Sequence, residues 1–200
     1  LKKWGFVKDD ITDVFLTHLH FDHCGGAIEW NDNKTGYRSA FKNAHFWTNE
    51  NHWEWATNPN PREKASFLKE NILPLQESGQ LNFLPLPTTG NYLMGTDLKM
   101  DVIFVDGHTE KQMLPVIQYQ EKTIVYAADL IATAGHIPLV YVMGYDTRPL
   151  LTIAEKEKFL KLCVDHEYLL FFEHDAHHEL ASLKMTEKGV RLDETFSFNE

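Results

Sequence analysis

The sequence predicts an α/β fold, and three observations carry that expectation. Apolar runs of strand length recur along the 200 residues: Val14-Phe15-Leu16, Val102-Ile103-Phe104-Val105, residues 123–128 and residues 168–173. Each run is followed within a few positions by His or Asp. Helix-type patterns with capping residues lie among them, and open α/β sheets place their functional groups beyond the carboxyl ends of strands.

Taken in order, residues 13–17 form the first strand, and Gly25-Gly26 a tight turn into a helix. Residues 31–36 (Asn-Asp-Asn-Lys-Thr-Gly) form a polar loop. The stretch 44–55 is aromatic, with Phe46, Trp47, Trp53 and Trp55 read as core or as contacts of a homodimer. A helix opens at Asn60-Pro61-Arg62-Glu63, where Asn60 can cap, Pro61 suits the first helical position and Glu63 can reach back. Phe67, Leu68 and Ile72 give it an apolar face, and Pro74 ends or kinks it. Residues 115–119 and 123–128 pair as a hairpin around Gln120-Glu121-Lys122. The segment 131–146 is interrupted by Gly and Pro. Thr152-Ile153-Ala154-Glu155 reads as a capping box opening a helix to about Val164. Residues 168–173 are the last core strand, and Thr186-Glu187-Lys188-Gly189 is a turn between short strands in the tail. No internal repeat, low-complexity segment or linker interrupts this order.

Residues 17–26, Thr-His-Leu-His-Phe-Asp-His-Cys-Gly-Gly, are the most informative stretch. They place His18, His20, Asp22 and His23 within six positions, directly behind a strand. Imidazole and carboxylate are the ligands of zinc and, less selectively, of iron or manganese. Residues two apart on an extended or tightly turned segment point the same way, so His18 and His20 can grip one ion. Asp22 and His23 lie past the bend and face another point. One loop can thus serve two ions, which in hydrolases of this kind stand roughly 3.5–4 Å apart.

Composition narrows the partners. With 43% apolar residues the chain can bury one core. Its net charge of −10 disfavours nucleic-acid phosphates and anionic membranes. No apolar run reaches the length of a membrane span. Cys24 and Cys163 imply no disulfide framework, and both read as packing residues.

His18-Leu-His20-Phe-Asp22-His23 resembles the signature of the metallo-β-lactamase superfamily. Three further matches follow in that family's order: His108 in Gly107-His108-Thr109, Asp129 after residues 123–128, and His174 after residues 168–173. The resemblance covers nearly the whole chain. It implies a single domain with the αβ/βα sandwich fold and a dinuclear centre. His18, His20 and His108 would hold the first metal and Asp22, His23 and His174 the second, with Asp129 bridging the two. The ions would be two divalent metals, zinc first, with iron or manganese compatible. Read alone, Asp129 could instead be a helix N-cap.

The family also has a strand near residue 45 that leads into a helix at Asn49-Glu50. The 84 residues between His23 and His108 resemble the helical insertions of its lactonase and phosphotriesterase-like branches, here at about 44–80. Only 17 residues precede His18, so the resemblance implies a chain lacking much of the sandwich's N-terminal half, with one sheet face short of cover. Two departures stand out. Glu110-Lys111 follows Gly-His-Thr where the family usually has Pro-Gly. Leu130-Ile131-Ala132-Thr133 follows Asp129 where some lactonases carry a Tyr.

The activity implied is that of a metal-dependent hydrolase acting on a small-molecule lactone or other small ester, with Asp22 orienting the nucleophile or taking its proton. A thioester hydrolase of glyoxalase II type, a phosphotriester hydrolase and an inactive metal-binding fragment are the alternatives. His136 and Tyr145 are the candidate substrate contacts, and Asp175 a candidate carboxylate for orienting a ligand.

Overall fold

The computed structural model describes residues 1–86, 92–93 and 100–198. The chain divides into two compact units, Leu1–Leu86 and Pro87–Glu200, and each is described by itself.

Unit 1 holds, in order, β1 (Asp13–Phe15), α1 (Phe21–Cys24), β2 (Ile28–Trp30), β3 (Tyr37–Ser39), β4 (His45–Thr48), α2 (Glu50–Thr57), α3 (Lys69–Glu77) and β5 (Leu81–Phe83). β1, β4 and β5 form a parallel sheet with β4 in the middle, and β2 pairs with β3 as an antiparallel hairpin. The core is apolar side chains from loop, strand and helix together: Leu16, Leu19, Phe46, Trp53, Phe67, Ile72 and Leu75. Each such residue contributes about 1.5–3 kcal/mol by leaving water. The aromatic stretch is therefore largely structural. Phe46 and Trp53 are buried, and the Trp47 and Trp55 indoles donate to Asp13 and Glu63. Asn49 caps α2, its Oδ1 accepting the His52 N–H at 2.9 Å.

Several local expectations shift. The glycines follow α1 instead of preceding it, so Asp22 and His23 ride on a single helical turn. The helix expected at Pro61 begins at Lys69. Asn60 Oδ1 accepts the N–H of Arg62 and Glu63 at 2.9 and 3.2 Å, which closes a turn. Pro74 sits inside α3 without ending it.

Unit 2 holds β6 (Tyr92–Leu93), β7 (Asp101–Val105), β8 (Gln112–Tyr119), β9 (Lys122–Tyr126), α4 (Pro149–Asp165), β10 (Leu169–Phe171), β11 (Leu180–Thr186) and β12 (Gly189–Phe196). Among the described residues these strands form one mixed sheet in the order β12-β11-β10-β9-β8-β7-β6. Only β9 and β10 pair in parallel, and α4 lies in the crossover between them. Such a connection needs a helix-length segment. Phe159, Leu160 and Cys163 of α4 pack with Val105, Leu114, Val125 and Leu170 of the sheet. β8 starts at Gln112, earlier than the sequence suggests, because Pro115 reads as a strand edge yet lies opposite Val102 inside the sheet. α4 also starts early: Pro149 takes the first turn, so Thr152 is internal and its hydroxyl donates to Arg148 O. Glu155 caps a different segment, the turn at Asp106-Gly107.

Candidate metal centre

In unit 1 the loop after β1 carries four donor side chains. His18 is fully buried and His20 nearly so, and His18 Nε2 lies 3.1 Å from His20 Nδ1. The other nitrogen of His18, Nδ1, lies 3.2 Å from the Thr17 hydroxyl. The other nitrogen of His20, Nε2, lies 3.4 Å from Glu63 Oε1. The His23 ring stands 3.9 Å from that of His18, centroid to centroid, and its Nε2 is 3.5 Å from Asp22 Oδ2. Asp22 is 43% exposed, the open member of the group. The loop is pinned by Leu19 N–H donating to His52 Nε2 at 2.8 Å and Phe21 N–H donating to Ser66 O at 2.9 Å. Cys24 plays the packing part expected of it: its thiol donates to Leu19 O, and burial first, then nearby Asp22, pushes its pKa up to about 12.

In unit 2 three chain segments meet. Asp129 is buried and places Oδ2 3.1 Å from His108 Nε2 and Oδ1 3.1 Å from His174 Nε2. It lies in a turn and not at a helix N-terminus, so it is not acting as a helix cap. Ala128 just before it has φ 41°, a left-handed conformation costing a non-glycine residue about 1–3 kcal/mol. The Gln112 amide, turned to suit its neighbours, accepts from the Asp129 and Leu130 N–H groups. Burial opposes charging His108, but hydrogen bonds to Asp129 and Asp146 outweigh it and lift the pKa to about 9.

The turn carrying His108 is closely fitted. A Cβ on Gly107 would come within 2.4–2.5 Å of Thr152, backbone included. Glu155 accepts the Asp106 and Gly107 N–H groups at 2.8 and 2.9 Å. The departure at Glu110-Lys111 has a local answer. Lys111 adopts φ 50° where the family's glycine would be at ease, and its ammonium pairs with Asp106 at 2.7 Å. Glu110 pairs with Arg148 at 2.7 Å.

The donor sets of both units fit divalent metal ions. Two donors on one tetrahedral zinc, each roughly 2.0–2.1 Å from it, stand about 3.3 Å apart. The His18–His20 and His108–Asp129 pairs are both 3.1 Å apart. A carboxylate with one oxygen toward each of two imidazole nitrogens is suited to bridging two ions.

The remaining sequence-predicted residues fall out differently. Tyr145 sets its ring edge-on to His108, 5.6 Å between centroids, with its hydroxyl 2.8 Å from Met143 Sδ. His136 Nδ1 lies 2.9 Å from the Thr133 hydroxyl, and burial, then Lys156, lowers its pKa. Asp175 is engaged by the N–H groups of Ala134, His177 and His178 and by the His178 ring, and so ties two loops together. Sequence reasoning missed Asp146 and the inward role of Glu63. Both are acidic residues in irregular segments, with no periodic pattern to mark them.

The chain belongs to the metallo-beta-lactamase superfamily, whose family profile matches residues 1–174. It is similar to N-acyl homoserine lactonase AiiA of Bacillus thuringiensis subsp. kurstaki, 24% identical over 181 residues, which cover 90% of this chain and 62% of that protein. The chain thus spans about three-fifths of the length of the curated relatives it matches. Its fold is similar to that of a probable metal-dependent hydrolase from Staphylococcus aureus, with a TM-score of 0.79 at 23% identity, covering 98% of this chain and 68% of the other. It is equally similar to AidC, a dizinc quorum-quenching lactonase solved with a product, N-hexanoyl-L-homoserine: TM-score 0.79, 23% identity, 98% and 69% coverage.

Proposed function

We propose that this protein is a metal-dependent hydrolase that opens a lactone or another small carboxylic ester. The observation that carries the reading is Asp129, with one oxygen 3.1 Å from His108 Nε2 and the other 3.1 Å from His174 Nε2. In this proposal His18, His20 and His108 are ligands of one ion, Asp22, His23 and His174 are ligands of the other, and Asp129 serves both. Two divalent ions bound there supply a water of lowered pKa and a Lewis acid for the substrate carbonyl. Asp22, the exposed carboxylate of the donor loop, takes a proton from the attacking water or orients it. Tyr145, half-exposed beside His108, contacts the substrate, and His136 lines its approach. The likeness to N-acyl homoserine lactonases supports a lactone as the ester.

Acid release by the zinc-loaded protein on lactones, thioesters, phosphotriesters and β-lactams tests this, with His108→Ala alongside. Release fastest on lactones, lowered roughly a thousandfold or more in the variant, is the expected result. Turnover confined to thioesters or phosphotriesters would move the substrate class. Zinc binding without turnover on any of them would overturn the reading as a hydrolase of these classes.

A further inference from the structure

His108 uses both ring nitrogens, and only one of them faces Asp129. The other, Nδ1, lies 2.9 Å from Asp146 Oδ1, with the two side chains 0% and 1% exposed. Both neighbours are carboxylates and only accept, so without an ion each ring nitrogen donates to its own carboxylate. An ion held at Nε2 takes that atom's lone pair, and the single N–H of the neutral ring is then the one on Nδ1, donated to Asp146.

The residues after Asp146 grip the same turn. Thr147 N–H and hydroxyl donate to His108 O at 3.2 and 3.0 Å. Arg148 N–H donates to Gly107 O at 2.9 Å, and its guanidinium to Asp106 O at 2.7 Å. Asp146 itself is steadied by its N–H on Met143 O at 3.1 Å. Residues 146–148 thus hold both the main chain of the turn and the Nδ1 side of its imidazole.

We propose that Asp146 is the positioning residue for His108: its carboxylate keeps the hydrogen on Nδ1, presents Nε2 as the metal-binding atom and makes that atom a stronger donor. The inference rests on His108 being a ligand, as proposed above. A carboxylate behind a ligating histidine is typically worth about 10–100-fold in metal affinity.

The test uses the zinc-loaded protein with 15N-labelled histidine. Long-range proton–nitrogen correlation is expected to place the His108 hydrogen on Nδ1. Competition with a chromophoric chelator should show zinc affinity falling about 10–100-fold in Asp146→Ala. Asp146→Asn should fall less, because its amide oxygen still accepts the bond without the charge. A purely structural Asp146 would lower the melting temperature and leave affinity, tautomer and the cobalt(II) spectrum unmoved. Zinc bound with the hydrogen on Nε2, or Asp146→Ala affinity within roughly twofold of the parent, overturns the proposal while the metal site stands. If Asp146→Ala does not fold, the parent spectrum and Asp146→Asn decide. Loss of affinity in a protein that hydrolyses nothing would sink the proposed activity and support the role of Asp146.

Discussion

In unit 1 the candidate ligands His18, His20, Asp22 and His23 share one short loop, whereas in unit 2 His108, Asp129 and His174 stand on three separate segments. The first cluster is set mainly by local chain geometry: an extended pair, then one helical turn. The second exists only because a sheet and α4 bring distant residues together. Its supports are correspondingly tighter. Asp146 lies 2.9 Å behind His108, while Glu63 lies 3.4 Å behind His20. The placement of the unit 2 donors should therefore depend on fold stability more strongly than that of the unit 1 donors.

The largest effect that could break this contrast is at the glycines beside the ligands. Gly107→Ala drives a Cβ into the Thr152 backbone at 2.5 Å, and neither the turn nor α4 can yield cheaply. Destabilisation of about 3 kcal/mol or more is expected from overpacking against backbone. Gly26→Ala meets nothing within 4 Å and should stay within about 0.5 kcal/mol of the parent. Urea unfolding of both variants measures this. Equal losses would mean the two loops are equally dependent on packing.

A smaller effect separates the two carboxylates. Glu63 is buried and accepts from the Trp55 indole at 2.7 Å and the Asn60 amide at 2.5 Å. Glu63→Ala removes the acceptor for both donors and should cost about 1–3 kcal/mol. Trp55→Phe removes one donor and should cost less. A double-mutant cycle in urea reads their coupling. Additive losses would place the burden on packing and not on the hydrogen bond.

The same contrast explains what could be read from the sequence. Four donors in one loop are visible as spacing. His108, Asp129 and His174 were reachable only because each follows an apolar strand and matches the family's order. Strand runs were legible where burial made them continuously apolar, as in β7. Pro115 hid the start of β8, and Asn60 mimicked a helix cap while closing a turn. Glu155 looked like half of a capping box, because three-residue spacing cannot tell a side chain that folds back on its own helix from one that reaches Asp106 and Gly107. Asp146 has no local signature. Its role follows from where residues 131–146 return, which tertiary packing decides.

The finest test of the contrast concerns the links between ligand-bearing loops of unit 2. Asp175, next to His174, accepts the Ala134 N–H at 2.9 Å and so ties its loop to the segment after Asp129. Partial burial pushes its pKa up, but the backbone N–H groups of Ala134, His177 and His178 and the His178 ring outweigh this and hold it at about 2, against an ordinary 3.8. A folded pKa below the unfolded one means that ionised Asp175 favours the fold. That stabilisation is complete above the ordinary 3.8 and disappears as pH falls through about 2. Asp175→Asn should lose on the order of 1 kcal/mol at neutral pH, discounted because the site is only partly buried. The gap to the parent should close on acidification through that window, seen as converging melting temperatures. Parallel curves would mean that the charge of Asp175 adds nothing to the tie between the two loops beyond what a neutral acceptor supplies.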